Sequence, residues 1–124
     1  MVTDEVLAHG KYVIYGAQVI AVGAREAISH LTGIEPECFA VGKSKGKASY
    51  PTGNPDSIDG IPVCPIEDVP HNMFIVVGVT ELIQKEVLPY LAENGYGDVY
   101  PLTQHEEHLL MSEYYESIGK FPVV

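Results

Sequence analysis

The sequence predicts an α/β domain: a small, doubly wound parallel sheet of about five strands with helices on both faces. Three observations carry that expectation. The short apolar runs "YVIYG", "ECFAVG" and "MFIVVGV" are rich in strand-forming residues and lack alternation of apolar and polar positions, as strands buried on both faces do. Segments with helical spacing follow the first and third of these runs and a later strand-like stretch. Strands that alternate with helices build a parallel sheet through right-handed crossovers, and the helices then cover its two faces.

Taken in order, Lys11 to Gly16 reads as the first strand, ending at a glycine. The helix after it carries Ile20, Ala24, Ala27, Ile28 and Leu31 on one face, with Arg25, Glu26, Ser29 and His30 mainly on the other. Gly33 can take the left-handed conformation that closes a helix. Glu37 to Gly42 is the second strand. Residues 43–60 are dominated by Gly, Ser, Pro, Asn, Asp and Lys and are expected to form a loop, which at such length inside a compact domain is usually functional or mobile. Prolines 62, 65 and 70 restrict "IPVCPIEDVP" to a short edge strand with room for one helical turn.

Met73 to Val79 is the most apolar stretch and is expected to be the central strand. Thr80 can cap the next helix, which should run to about Asn94, bend at Pro89 and stop at Gly95. "DVYPL" from Asp98 is the fifth strand, and Thr103 with Glu106 has the spacing of a reciprocal capping box. The last helix places Leu110, Tyr114 and Ile118 on one side and ends at Gly119.

The 124 residues fit one domain, 1–124, able to bury roughly two-thirds of the surface its unfolded chain exposes. No apolar run approaches the ~18 residues a membrane span requires, and "MVTDEVLAHG" lacks the basic and apolar regions of a secretory signal, so the cytoplasm is the expected compartment. The apolar ending "KFPVV" is what a domain cut from a longer chain is expected to show. Seven basic against seventeen acidic residues give a formal charge of -10, which repels nucleic acid at long range. Cys38 and Cys64 lack the spacing of a zinc or redox pair and read as small buried hydrophobes.

The layout is Rossmann-like, and such a sheet holds its ligand in a crevice at the carboxyl ends of the strands. In the dinucleotide fingerprint G-x-G-x-x-G the first glycine makes the tight turn, the second admits a pyrophosphate against the main chain, and the third lets helix and strand pack closely. Here those positions hold Gly16, Gln18 and Ala21. Ala21 keeps the packing role. Gln18 leaves two readings open: it begins the helix and points away, leaving the N–H groups around Ala17, Gln18 and Val19 to attract an anion, or it blocks a pyrophosphate and offers an amide instead.

The second strand ends "AVGKSKGK", without the acid that would hold the ribose of NAD. Lys43, Lys45 and Lys47, interleaved with Ser44, could neutralise a phosphate of NADP or of a sugar nucleotide, or simply be hydrated. Gly78, Val79 and Thr80 would border the same crevice, with Thr80 divided between capping and ligand contact. His105 and His108 stand three apart on the last helix, but a metal site needs further ligands from elsewhere, and no metal is expected. Tyr12, Tyr15, Tyr114 and Tyr115 read as core and interface filling. The chain has no nucleophile elbow, no P-loop lysine and no Tyr-x-x-x-Lys base, so no catalytic residue is assigned.

"YVIYGAQVIAVGAREAI", "NPDSIDGIPV", "VLPYLAENGYGDVY" and "LLMSEYYESIGKFPVV" together resemble Rossmann-like domains found at or near the N-termini of bacterial glycosyltransferases and other surface-polysaccharide synthesis proteins. The layout is also similar to that of CoA-binding-like and sugar-acyltransferase N-terminal domains. The resemblance covers nearly the whole chain and implies a cytoplasmic module that binds a nucleotide or nucleotide sugar beside a transferase domain. Only Gly16, Ala17 and Gln18 match the group's turn and carry over as candidate contacts. The expected partners are a small nucleotide ligand and either a fused transferase domain or a second copy of the chain. The rival readings are a fragment of an NAD(P)-dependent sugar-nucleotide oxidoreductase and a dimerisation module.

Overall fold

Alternation along each strand divides the apolar residues between two layers. In the computed structural model of the protein, which describes residues 1–42 and 55–119, Ile14, Phe39, Phe74 and Val76 face one side of a sheet. Val13, Tyr15, Ala40, Ile75 and Val77 face the other. The strands are β1 (Val13–Tyr15), β2 (Phe39–Val41), β3 (Ser57–Ile58), β4 (Ile61–Pro65), β5 (Ile75–Val77) and β6 (Val99–Pro101). Their order across the sheet is β3-β4-β2-β1-β5-β6. All neighbours are parallel except β3 and β4, which form a hairpin.

Four α-helices are described: α1 (Val2–His9), α2 (Val19–Thr32), α3 (Glu81–Glu93) and α4 (Gln104–Ser117). Val2 and Val6 of α1, Ala21, Ala24, Ala27 and Ile28 of α2, and Leu110 of α4 pack on the first face. Val87 and Leu91 of α3 pack on the second, with Ile66 and Val69 from the 3-10 turn Ile66–Asp68 and its exit. The protein is thus an α/β domain with a mostly parallel mixed sheet and a core on either side. Gly33 closes α2 at φ 76°, as its position predicts, and Thr80 caps α3 by accepting the Ile83 N–H at 3.3 Å.

The structure corrects five expectations. Among the described residues the sheet has six strands. The extra one, β3, lies in the stretch read as loop, and its pairing is made by Asp59-Gly60, whose φ values of 52° and 82° suit a two-residue hairpin turn. Two residues of strand are too few to show a period. Second, α1 occupies residues read only as lacking a signal sequence. Third, β5 is not the middle of the sheet: β2 and β1 hold that place, and β5 is buried because β6 and both helical layers cover it.

Fourth, the capping box at α4 is one-sided. Thr103 accepts the Glu106 N–H at 3.1 Å, but the Glu106 carboxylate is turned away, to the Val2 N–H at 2.8 Å and the Tyr100 hydroxyl at 2.7 Å. Fifth, Cys64 is only half-buried, and it lies beside Cys38, which is buried as read. β2 and β4 pair with Ala40 opposite Cys64, and Cys38 projects to the same face as Ala40. Burial, with Cys64 beside it, pushes the Cys38 thiol up, which favours its protonated form.

Candidate functional site

The order of the parallel strands reverses at β1. From β1 the chain moves through β2 to β4, then crosses back to β5 on the other side of β1 and continues to β6. The adjacent strands β1 and β5 therefore feed helices on opposite faces: α2 on the first and α3 on the second. The turns that leave these two strands meet at the carboxyl edge of the sheet.

Gly16 makes the first turn. Its φ is +121°, its N–H extends the β1–β2 ladder to the Ala40 carbonyl at 2.8 Å, and a Cβ there would lie 2.8 Å from the Gly78 carbonyl oxygen. A side chain is excluded twice, by conformation and by space. Gly78 completes the contact. Its N–H bonds the Tyr15 carbonyl at 2.9 Å, and a Cβ on it would sit 3.1 Å from the Ala21 Cα. Ala21 thus performs the close packing expected of the third fingerprint position, and it does so against the end of β5. Gly78, expected at the crevice wall, is buried in this joint.

Ala17 is buried beneath the turn. Gln18 is exposed and is the N-cap of α2, not its first helical residue, with φ -109° and ψ -162°. Its carbonyl accepts the Val22 N–H at 2.9 Å, while its side chain does not cap the helix. Val19, the first helical residue, is 86% exposed. The first turn of α2 contains no acid.

The neighbouring helix ends differ. α3 starts with Thr80 as cap and Glu81 in its first turn. α4 starts with Thr103, Glu106 and Glu107, and the Glu81 carboxylate also accepts the Gln104 N–H at 2.7 Å. Protein carboxylates already answer the positive ends of those two helix dipoles; α2 carries no acid in its own first turn. The exits of β5 and β6 are tied by Gln84, 6% exposed, whose amide donates to the Val79 carbonyl at 3.0 Å and the Leu102 carbonyl at 2.8 Å. Sequence reasoning missed Gln84. A glutamine one turn into an amphipathic helix gives no sign that it faces inward.

Beside these ends lies a cleft of about 650 Å³ lined by Glu81, Gln104, His105, Glu107, His108 and Met111. His105 and His108 do line one surface, as their spacing implies. Among the described residues, no group of three or more His, Cys, Asp or Glu side chains is placed to hold a metal ion. With two carboxylates, the cleft favours cationic or neutral groups over phosphate.

Of the residues singled out in the sequence, Gly16, Ala17, Gln18, Val19, Gly78 and Thr80 come together around this edge. Lys43, Ser44 and Lys45 lie outside the described residues. Among the described residues, no helix is long and apolar enough to cross a membrane. Compared with protein-family models, with curated proteins and with solved structures, the chain matches none.

Proposed function

We propose that the chain is a doubly wound, Rossmann-like module that receives the phosphate of a nucleotide or nucleotide sugar at the amino end of α2. The observation that carries this reading is the joint of Gly16, Gly78 and Ala21, which turns the main chain sharply out of β1 and starts α2 at an exposed edge without an acid in its first turn. Backbone N–H groups and the helix dipole there suit an anion. The acids on α3 and α4 bias phosphate away from their ends. Lys43 and Lys45 follow β2 in the sequence and are the cations proposed to assist. The module binds and does not itself transfer: glycosyl transfer, which the resemblance implies for the parent protein, is assigned to a partner domain.

A Val19→Glu substitution tests the reading. At 86% exposure the new side chain costs no packing, and a carboxylate in the first turn should stabilise α2 by about 0.3–1 kcal/mol. The same charge repels a bound phosphate. Calorimetric titration with UDP-sugars, NAD, NADP and CoA should show binding to the wild type and at least a tenfold loss, about 1.4 kcal/mol, in the variant. Preference for NAD or NADP over UDP-sugars would favour the oxidoreductase reading. Equal affinity of variant and wild type would remove α2 from the site.

One observation favours a second reading, the interaction module. Val19 and Leu82, at 86% and 74% exposure, open each of the two helices that flank the crevice. A chain that binds none of the four ligand classes yet sediments as a dimer, and becomes monomeric with Val19→Glu, would support it.

A further inference from the structure

α1 is clipped at both ends by polar contacts and contributes only Val2 and Val6 as buried residues. At its amino end the Val2 N–H is held by Glu106. At its carboxyl end the His9 imidazole lies between two oxygens. Nδ1 is 2.7 Å from the Glu5 carbonyl oxygen and Nε2 is 2.7 Å from the Asp98 carboxylate. The ring also stacks on Phe74, with centroids 4.1 Å apart and planes 7° from parallel.

A neutral imidazole carries an N–H on one nitrogen and a lone pair on the other. Only the imidazolium donates to both oxygens. Loss of either proton sets a lone pair against a carbonyl or a carboxylate at hydrogen-bond distance, and one of the two contacts becomes repulsive. The charged groups acting on the ring are Asp98, ahead of β6, and the Glu5 carboxylate on α1 itself. Both are acidic, so both favour the charged ring. Phe74, ahead of β5, offers a ring face and no charge.

We infer that α1 is a proton-operated latch, docked while His9 carries a proton on both ring nitrogens and freed at its carboxyl end when one of them leaves. Release begins beside Phe74, a core side chain 3% exposed, and so uncovers apolar surface on the α1 side of the sheet. An element held by two buried side chains and two polar clips can open as a local unit while the sheet stays intact. The Glu5 carbonyl, with Asp98, raises the His9 pKa above its ordinary 6.5, which places the release on the alkaline side of that value.

Hydrogen exchange of the backbone amides tests this at about pH 5.5 and about pH 8.5, with rates corrected for their intrinsic pH dependence and α2 amides in the same sample as reference. Protection of α1 relative to α2 should fall by about two- to fivefold at the higher pH, the loss expected for a solvent-exposed ion pair. His9→Phe retains an aromatic ring on Phe74 and has no proton to lose, so its α1 protection should be the same at both pH values. Asp98→Asn should shift the loss to lower pH. Wild-type protection that does not change, or a loss of equal size in His9→Phe, overturns the latch. If His9→Phe does not fold, nitrogen-15 spectra of wild-type His9 decide: N–H on both ring nitrogens at about pH 5.5 supports the proposal, and a neutral ring there overturns it.

Discussion

Gly16 has two independent reasons to lack a side chain, and they can be separated by experiment. Its φ of +121° strains any L-residue, and a Cβ would meet the Gly78 carbonyl oxygen at 2.8 Å. Gly33 has a positive φ of 76° but nothing within 4 Å of its added Cβ. Gly33→Ala should therefore show only the left-handed penalty, about 1–2 kcal/mol. Gly16→Ala adds the clash and should cost more, at least about 2–3 kcal/mol, read from denaturant midpoints. Equal costs would mean that the β1 and β5 turns are not locked together. The tight turn at Gly16 was legible from the sequence because it follows a strand-like run. The role of Gly78 was not: it exists only because β5, distant in sequence, lies next to β1.

At the scale of elements, most helices announced themselves and α1 did not. α2 and α3 carry several apolar residues at helical spacing between clear stops, whereas α1 buries only Val2 and Val6 and is otherwise solvated. Its docking depends on side chains from other elements, among them Glu106 of α4 and Asp98. In sequence, Glu106 three residues after Thr103 points to a local cap; in the fold its carboxylate bonds the Val2 N–H and the Tyr100 hydroxyl instead. Glu106→Gln should cost about 1 kcal/mol or more, because a neutral amide oxygen accepts the Val2 N–H and the Tyr100 hydroxyl more weakly than a carboxylate does. The same substitution in a Tyr100→Phe background should cost less, since one of the bonds is already gone; additive costs would place Tyr100 and Glu106 in separate networks.

Over the whole molecule, two exposed ionisable groups give stability a dependence on pH, one at each side of neutrality. The Ser29 hydroxyl and the Arg25 guanidinium beside Glu35, the latter at 2.6 Å, hold its carboxyl below the ordinary 4.5. Its contribution is present above 4.5 and is lost as pH falls through the lowered folded value. His9 works in the opposite sense: raised from 6.5, it contributes fully below that value, and the contribution is lost as pH rises through the folded one. Melting temperature should thus be highest between these limits and fall on both sides; Arg25→Gln should blunt the acidic fall and His9→Phe the alkaline one. A profile flat from about pH 2 to about pH 9 would contradict both assignments. The α/β class of fold, the turn at Gly16, the stops at Gly33 and Gly95, the cap at Thr80 and the net acidity were all determined by the sequence alone, since propensity, periodicity and charge act between near neighbours or sum over the chain. Tertiary structure alone decided that Gly78 supports Gly16, that Cys38 adjoins Cys64, that Glu106 and His9 hold α1, and that α2 begins beside α3 at one edge. Each of these is a contact between residues far apart in the chain, and no local pattern specifies which strand becomes whose neighbour.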